Sequence, residues 1–144
     1  MNALYKFLFP GEETFQTMSI AILGLRIVFG VLLMTHGITK WTHFSELSAT
    51  FPDPLGIGSQ VSVMLVIFAE LFCAIAVVLG LFTRLALIPI LFNFFVIVFI
   101  VHMPDTLKVK ELPLLYLGCF VMLFIMGPGK YSVDFFIRKI LLRE

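Results

Sequence analysis

Four runs of about 20 mostly apolar residues dictate what this chain can fold into, because each is long enough to cross a hydrocarbon layer about 30 Å thick. They cover residues 18–37, 61–82, 85–103 and 111–126. Charged residues make up 13% of the chain and apolar residues 60%. A water-soluble domain carries about twice that share of charge. Packed as a soluble globule, a chain of 144 residues would leave apolar surface that only lipid can cover. The expected fold is therefore an all-α membrane protein, an antiparallel four-transmembrane-helix bundle forming a single domain over residues 1–144. No polar stretch is long enough for a separate catalytic domain. A net charge of +1 gives no electrostatic reason to bind nucleic acid.

The punctuation between runs agrees with this division. Pro52, Pro54, Gly56 and Gly58 crowd the stretch before the second run, Pro104-Asp105 closes the third, and Gly127-Pro128-Gly129 stops the fourth. The short link at Thr83-Arg84 makes runs two and three a tight hairpin, and Pro89 predicts a kink in the third helix. Lys6 precedes only a short apolar stretch without a cleavage site, so the first long run is expected to remain as an anchor.

Basic residues set the expected orientation. Lys6, Arg84, Lys130, Arg138, Lys139 and Arg143 fall on the side of the termini, and Lys40, Lys108 and Lys110 on the other. That balance puts both termini in the cytoplasm. Short amphipathic helices are expected at the ends. In the tail, Ser132 caps and Asp134 occupies the first turn. Val133, Phe136, Ile137, Ile140 and Leu141 then recur at helical spacing among basic residues, a pattern suited to an anionic membrane surface. Leu4, Tyr5, Phe7, Leu8 and Phe9 around Lys6 suggest a similar N-terminal segment, and Trp41 suits an interfacial anchor.

Ionisable side chains at membrane depth cost about 2.5–3.5 kcal/mol on insertion scales, so each needs a partner. Arg26 and Glu70 lie near mid-depth on adjacent antiparallel helices. Levelling the inner ends of the two runs leaves an axial offset of roughly 5 Å, which predicts a buried ion pair. His36, Lys40, His102 and Glu111 reach similar depth at the outer end. They form a candidate ligand or proton site, able to take a metal or to move protons beside a quinone head group. Ordinary interfacial polarity is the simpler account of the same residues, and no metal site is assigned. At the inner face Arg84 either pairs with Asp134 or acts as a plain positive anchor. Asn93 suits a hydrogen bond between helices. Cys73 and Cys119 sit in apolar runs without a Cys-x-x-Cys spacing and read as small hydrophobes. Haem ligation by His36 and His102 is disfavoured, because His36 lies about 80° off the Arg26 face.

In order and spacing these pieces resemble the DoxX family of small bacterial membrane proteins. The resemblance rests on Leu25-Arg26-Ile27-Val28-Phe29-Gly30, His36-Gly37-Ile38-Thr39-Lys40, Glu70, Gly80-Leu81-Phe82-Thr83-Arg84, His102, Glu111 and the segment Gly127 to Asp134. It implies a four-helix bundle in the bacterial inner membrane. Some relatives are subunits of membrane oxidoreductase systems, including a thiosulfate:quinone oxidoreductase. The expected role is thus an accessory subunit of a quinone-linked system, with quinone as candidate cofactor, the bilayer and redox subunits as partners, and a homo-oligomer as a further option. The chain has no flavin or nicotinamide fingerprint, so whether it is itself an enzyme stays open. The alternatives are a small-solute transporter component, with Arg26 and Glu70 lining a path, and a non-catalytic scaffold.

Overall fold

A computed structural model describes residues 15–142. The amphipathic segment expected around Lys6 lies outside them. Four helical spans form the body. Helix α1 (Phe15–Thr42) is the first, and a short α2 (Phe44–Thr50) follows it. The second span comprises α3 (Ser59–Ile67), a π-helical turn (Phe68–Cys73) and α4 (Ala74–Leu79). The third comprises α5 (Thr83–Val96) and a second π turn (Ile97–Val101). Helix α6 (Leu107–Met126) is the fourth, and α7 (Val133–Leu142) is the tail helix. Each span packs on the next, and the fourth returns to the first, closing an antiparallel bundle. Below, the end holding the link between spans two and three is the hairpin end, and the opposite end, with residues 43–58 and 102–106, is the loop end.

The first span runs five residues further toward the loop end than its most apolar stretch. The second stops at Leu79 because Gly80 takes a left-handed conformation (φ 71°). Leu81 N–H bonds Ala76 O and Gly80 N–H bonds Val77 O, the paired closure of a Schellman end.

Burial explains how α1 sits. Ser19, Ile22, Arg26, Gly30, Leu33 and Gly37 are buried, at intervals of three or four residues. That seam faces the bundle, while Ile27, Val28, Val31, Leu32 and Ile38 point outward. Outward-facing Leu, Ile and Phe side chains recur on all four spans, which suits lipid and not water. The centre is filled by Phe29, Phe94, Tyr116 and Phe120. Phe94 stacks on Tyr116 with ring centroids 5.1 Å apart, and Phe29 meets Tyr116 edge-on at 5.7 Å. Aromatic pairs of this kind add about 0.5–1.5 kcal/mol beyond their burial.

The register of the first two spans rests on two glycines. Gly30 lies against Val78, and Gly37 lies against the main chain of Glu70 and Leu71. A Cβ at position 37 would stand 2.8 Å from the Glu70 carbonyl carbon, where no flexible side chain can yield. Gly37→Val is therefore expected to destabilise the detergent-solubilised protein by about 1–3 kcal/mol, the usual cost of overpacking. Gly24, where a Cβ would meet no atom within 4 Å, is the control. Gly24→Ala should leave the thermal midpoint unchanged or slightly raised.

Candidate functional site

Two polar centres lie at different depths of the bundle, one at the hairpin end and one near mid-depth. At the hairpin end Arg26 is completely buried, and main-chain carbonyls surround its guanidinium. Nε donates to Val77 O at 2.8 Å and Nη2 to Val78 O at 2.8 Å. Nη1 donates to Pro128 O at 2.7 Å and Tyr131 O at 3.0 Å. Two of these acceptors lie at the C-terminal end of α4, where carbonyls lack intrahelical donors and the helix dipole is negative. The other two come from the loop after α6. The acidic charge that bears on Arg26 belongs to Asp134.

Asp134 is itself fully engaged. Its carboxylate accepts Phe82 N–H at 2.6 Å, Thr83 N–H at 2.8 Å and the Thr83 hydroxyl at 2.8 Å. It thereby caps α5 from a distant part of the chain and holds Phe82 in a left-handed conformation (φ 44°) that only a few non-glycine residues adopt. Asp134 N–H also bonds Gly80 O at 2.9 Å, and Ser132 Oγ caps α7 by accepting Phe135 N–H at 3.1 Å.

The buried ion pair expected at mid-depth is thus corrected, and of the two readings of Arg84 the pairing one does not hold. Arg26 does not pair with Glu70, because α1 extends past the end of the second span and brings Arg26 level with Gly80. Arg84 makes no ion pair with Asp134, whose carboxylate faces the Phe82 and Thr83 amides. Its guanidinium reaches Ile125 O at 3.4 Å instead.

The second centre lies toward the loop end. Glu70, 4% exposed, accepts from the Lys40 ammonium at 2.5 Å and from the Asn93 amide at 3.2 Å. The bond from Asn93 links the second and third spans, as its position in sequence suggests. Glu70 lies within the first π turn, and the second π turn starts four residues after Asn93. Such turns widen a helix locally and are frequent at functional sites.

These three side chains border a cavity of about 470 Å³, inside the range of about 300–1,000 Å³ typical of small-molecule sites. Its remaining walls are mostly apolar: Leu65, Phe68, Pro89, Phe92 and Val96 from spans two and three, with Phe51, Pro52, Pro54, Leu55 and Ile57 across the loop end. Leu65, Phe68 and Phe92 are about half-exposed on the outer surface, so the cavity opens sideways toward lipid.

The loop segment is tied down by Asp53. Its carboxylate accepts Ile57 N–H at 3.0 Å, Gly58 N–H at 2.7 Å and the Ser62 hydroxyl at 2.9 Å. These donors hold its carboxyl below the usual carboxylate range, the Gly58 amide contributing most.

The four residues expected to cluster at the outer end do not form one set. Lys40 turns back into the bundle toward Glu70. His102 lines the cavity and bonds Asp105 through Nδ1 at 2.7 Å. His36 meets the Tyr116 ring edge-on, with centroids 6.2 Å apart, and Glu111 is exposed on the fourth span. Lys40 and His102 thus share one cavity, while helix rotation turns His36 and Glu111 away from it. Among the described residues no three His, Cys, Asp or Glu side chains approach closely enough to hold a metal ion. The sequence marks the loop around Asp53 as turn-rich but assigns no role to that residue. Its signal is a carboxylate between two prolines ahead of two glycines, a pattern suited to local hydrogen bonding to main-chain amides.

The DoxX family model matches residues 21–103, more than half of the chain. The chain is a member of the DoxX family. The matched stretch contains Arg26, Lys40, Glu70, Asn93 and His102, and ends before Glu111 and Asp134. No match is found among curated proteins or among solved structures. This DoxX-family chain is thus a multi-pass membrane protein with a carbonyl-bound arginine near one end and, between mid-depth and the loop end, a laterally open, mostly apolar cavity bordered by a Lys–Glu–Asn set.

Two outcomes follow. Arg26→Lys retains the charge but cannot reach four carbonyls with a planar fork. Each charged hydrogen bond contributes about 1.5–3 kcal/mol, so the variant should lose its folded, monodisperse peak in detergent at temperatures the parent survives. For Asp53 the folded pKa is depressed, so its contribution is present above the ordinary carboxylate range, near pH 4. It is lost as pH falls through the lower folded value. Exchange-measured opening of the Ile57 and Gly58 amides should rise as pH drops through that window, and Asp53→Asn should abolish the pH dependence.

Proposed function

We propose that this protein binds a lipid-soluble, carbonyl-bearing ring such as a quinone, as an accessory subunit of a membrane oxidoreductase system. The observation that carries the reading is the cavity bordered by Lys40, Glu70 and Asn93, apolar over most of its wall and open to the bilayer between spans two and three. A quinone carbonyl would accept hydrogen bonds from the Lys40 ammonium, the Asn93 amide or the His102 imidazole. A quinol hydroxyl would donate to Glu70. One site thus offers partners to both forms. Electrons would come from a partner subunit, since the chain carries no dithiol motif and no nucleotide fingerprint.

The transporter reading draws less support. Arg26 and Glu70 sit in separate centres, and the stacked rings of Phe94, Tyr116 and Phe120 fill the axis between spans. We further place the protein in a bacterial inner membrane with both termini in the cytoplasm. Lys40 is committed to Glu70. It lies within the first span and turns into the bundle, so it does not count among the loop residues whose balance favours basic residues on the side of the termini.

Titration of purified protein with a short-chain benzoquinone should give saturable binding, with Lys40→Ala and Asn93→Ala each weakening it roughly ten-fold or more. Partitioning that does not saturate, or binding indifferent to both substitutions, would refute the assignment.

A further inference from the structure

The charges bordering the cavity cancel within the protein. Lys40 supplies one positive charge and Glu70 one negative, in direct contact, and Asn93 adds a neutral amide to the same carboxylate. The other ionisable group on the cavity wall, His102, is already bonded to Asp105. An anionic head group entering here gains attraction from Lys40 but meets Glu70 beside it. A cation meets the reverse. Neither recovers the hydration it leaves behind, because desolvating a lone charge costs more than a half-cancelled attraction returns.

We infer that Glu70 is the residue that makes this cavity select uncharged head groups over fatty-acid carboxylates, by neutralising Lys40. The inference rests on the ligand class proposed above and adds what excludes its commonest competitor. Free fatty acids share the bilayer with any lipid-soluble ring, fit an apolar cavity of this size and would be drawn to an unpaired ammonium.

Removing the carboxylate charge should invert the preference. In Glu70→Gln the amide preserves shape and can still hydrogen-bond Lys40 and Asn93, but the ammonium is left without a counter-charge. A fatty-acid carboxylate would then supply it. Lys40 is 24% exposed and Glu70 4%, so the cation stays reachable from the cavity.

The test measures binding of two probes, a short-chain alkyl benzoquinone and a fatty-acid carboxylate of equal chain length, to purified protein in detergent at neutral pH. Parent protein should bind the quinone and not the carboxylate. Glu70→Gln should bind the carboxylate at least roughly ten-fold more tightly than the parent does. The double variant Lys40→Met/Glu70→Gln carries neither charge and should lose that gain, which also separates a charge effect from simple loosening of the fold. Carboxylate binding unchanged in Glu70→Gln, or raised equally in the double variant, would overturn the inference. Parent protein that fails to bind the quinone, alongside a Glu70→Gln variant that gains the carboxylate, would sink the ligand assignment while leaving the selectivity role intact.

Discussion

A guanidinium inside a bundle surrounded by lipid has five N–H donors and no water to satisfy them. Arg26 meets this demand with main-chain carbonyls and not with a carboxylate. The choice has structural consequences, because the acceptors belong to parts of the chain about fifty residues apart. Val77 and Val78 end the second span, while Pro128 and Tyr131 lie in the turn after the fourth. A single side chain of the first span thus fixes where the second ends and where the chain returns after the fourth. Asp134 completes the arrangement by capping the third span. All four spans are referenced to one another at this end through polar groups, and not through side-chain packing alone.

This also explains why glycine stands at position 80. A Cβ there would fall 2.5 Å from Arg26 Nη2 and 2.5 Å from Ser132 Cβ, so a side chain would displace both the guanidinium and the returning loop. The left-handed turn at Gly80 and the one at Phe82 reverse the chain within three residues. The cost of the second, about 1–2 kcal/mol for a non-glycine residue, is offset by the hydrogen bonds its amide and the next make to Asp134.

Much of the architecture is legible in the sequence. Four spans, a buried arginine in the first and a buried glutamate in the second follow from apolar run lengths and from the rarity of charge inside them. The tail helix over Val133–Leu142 is visible from its apolar spacing and from Ser132 ahead of it. What cannot be read is the pairing. Partner assignment for Arg26 and Glu70 depends on levelling the ends of the first two spans, and the sequence around Phe15 and Thr42 does not mark those ends sharply. With the true register Gly37 faces Glu70, and Lys40, one turn further on, is the cation within reach. The acceptors of Arg26 are invisible for a different reason: a main-chain carbonyl carries no residue signature. The cavity is hidden because its walls combine two spans with a loop whose position depends on Asp53.

The two polar centres differ in how tightly they are built, and that difference bears on how such a protein could work. The hairpin end is saturated: Arg26, Asp134, Thr83 and Ser132 each bond partners drawn from the chain around them, leaving little room for alternative arrangements. The bundle beyond it combines a π turn at mid-span and another at the loop end, a short helix α2 with no buried residue and a loop held through one carboxylate. Regions with few buried contacts and irregular backbone open at lower free energy than the rest of a structure. A bundle locked at one end can splay slightly at the other without losing register. A sideways-opening cavity needs that freedom if its occupant is to enter from the bilayer past Leu65, Phe68 and Phe92.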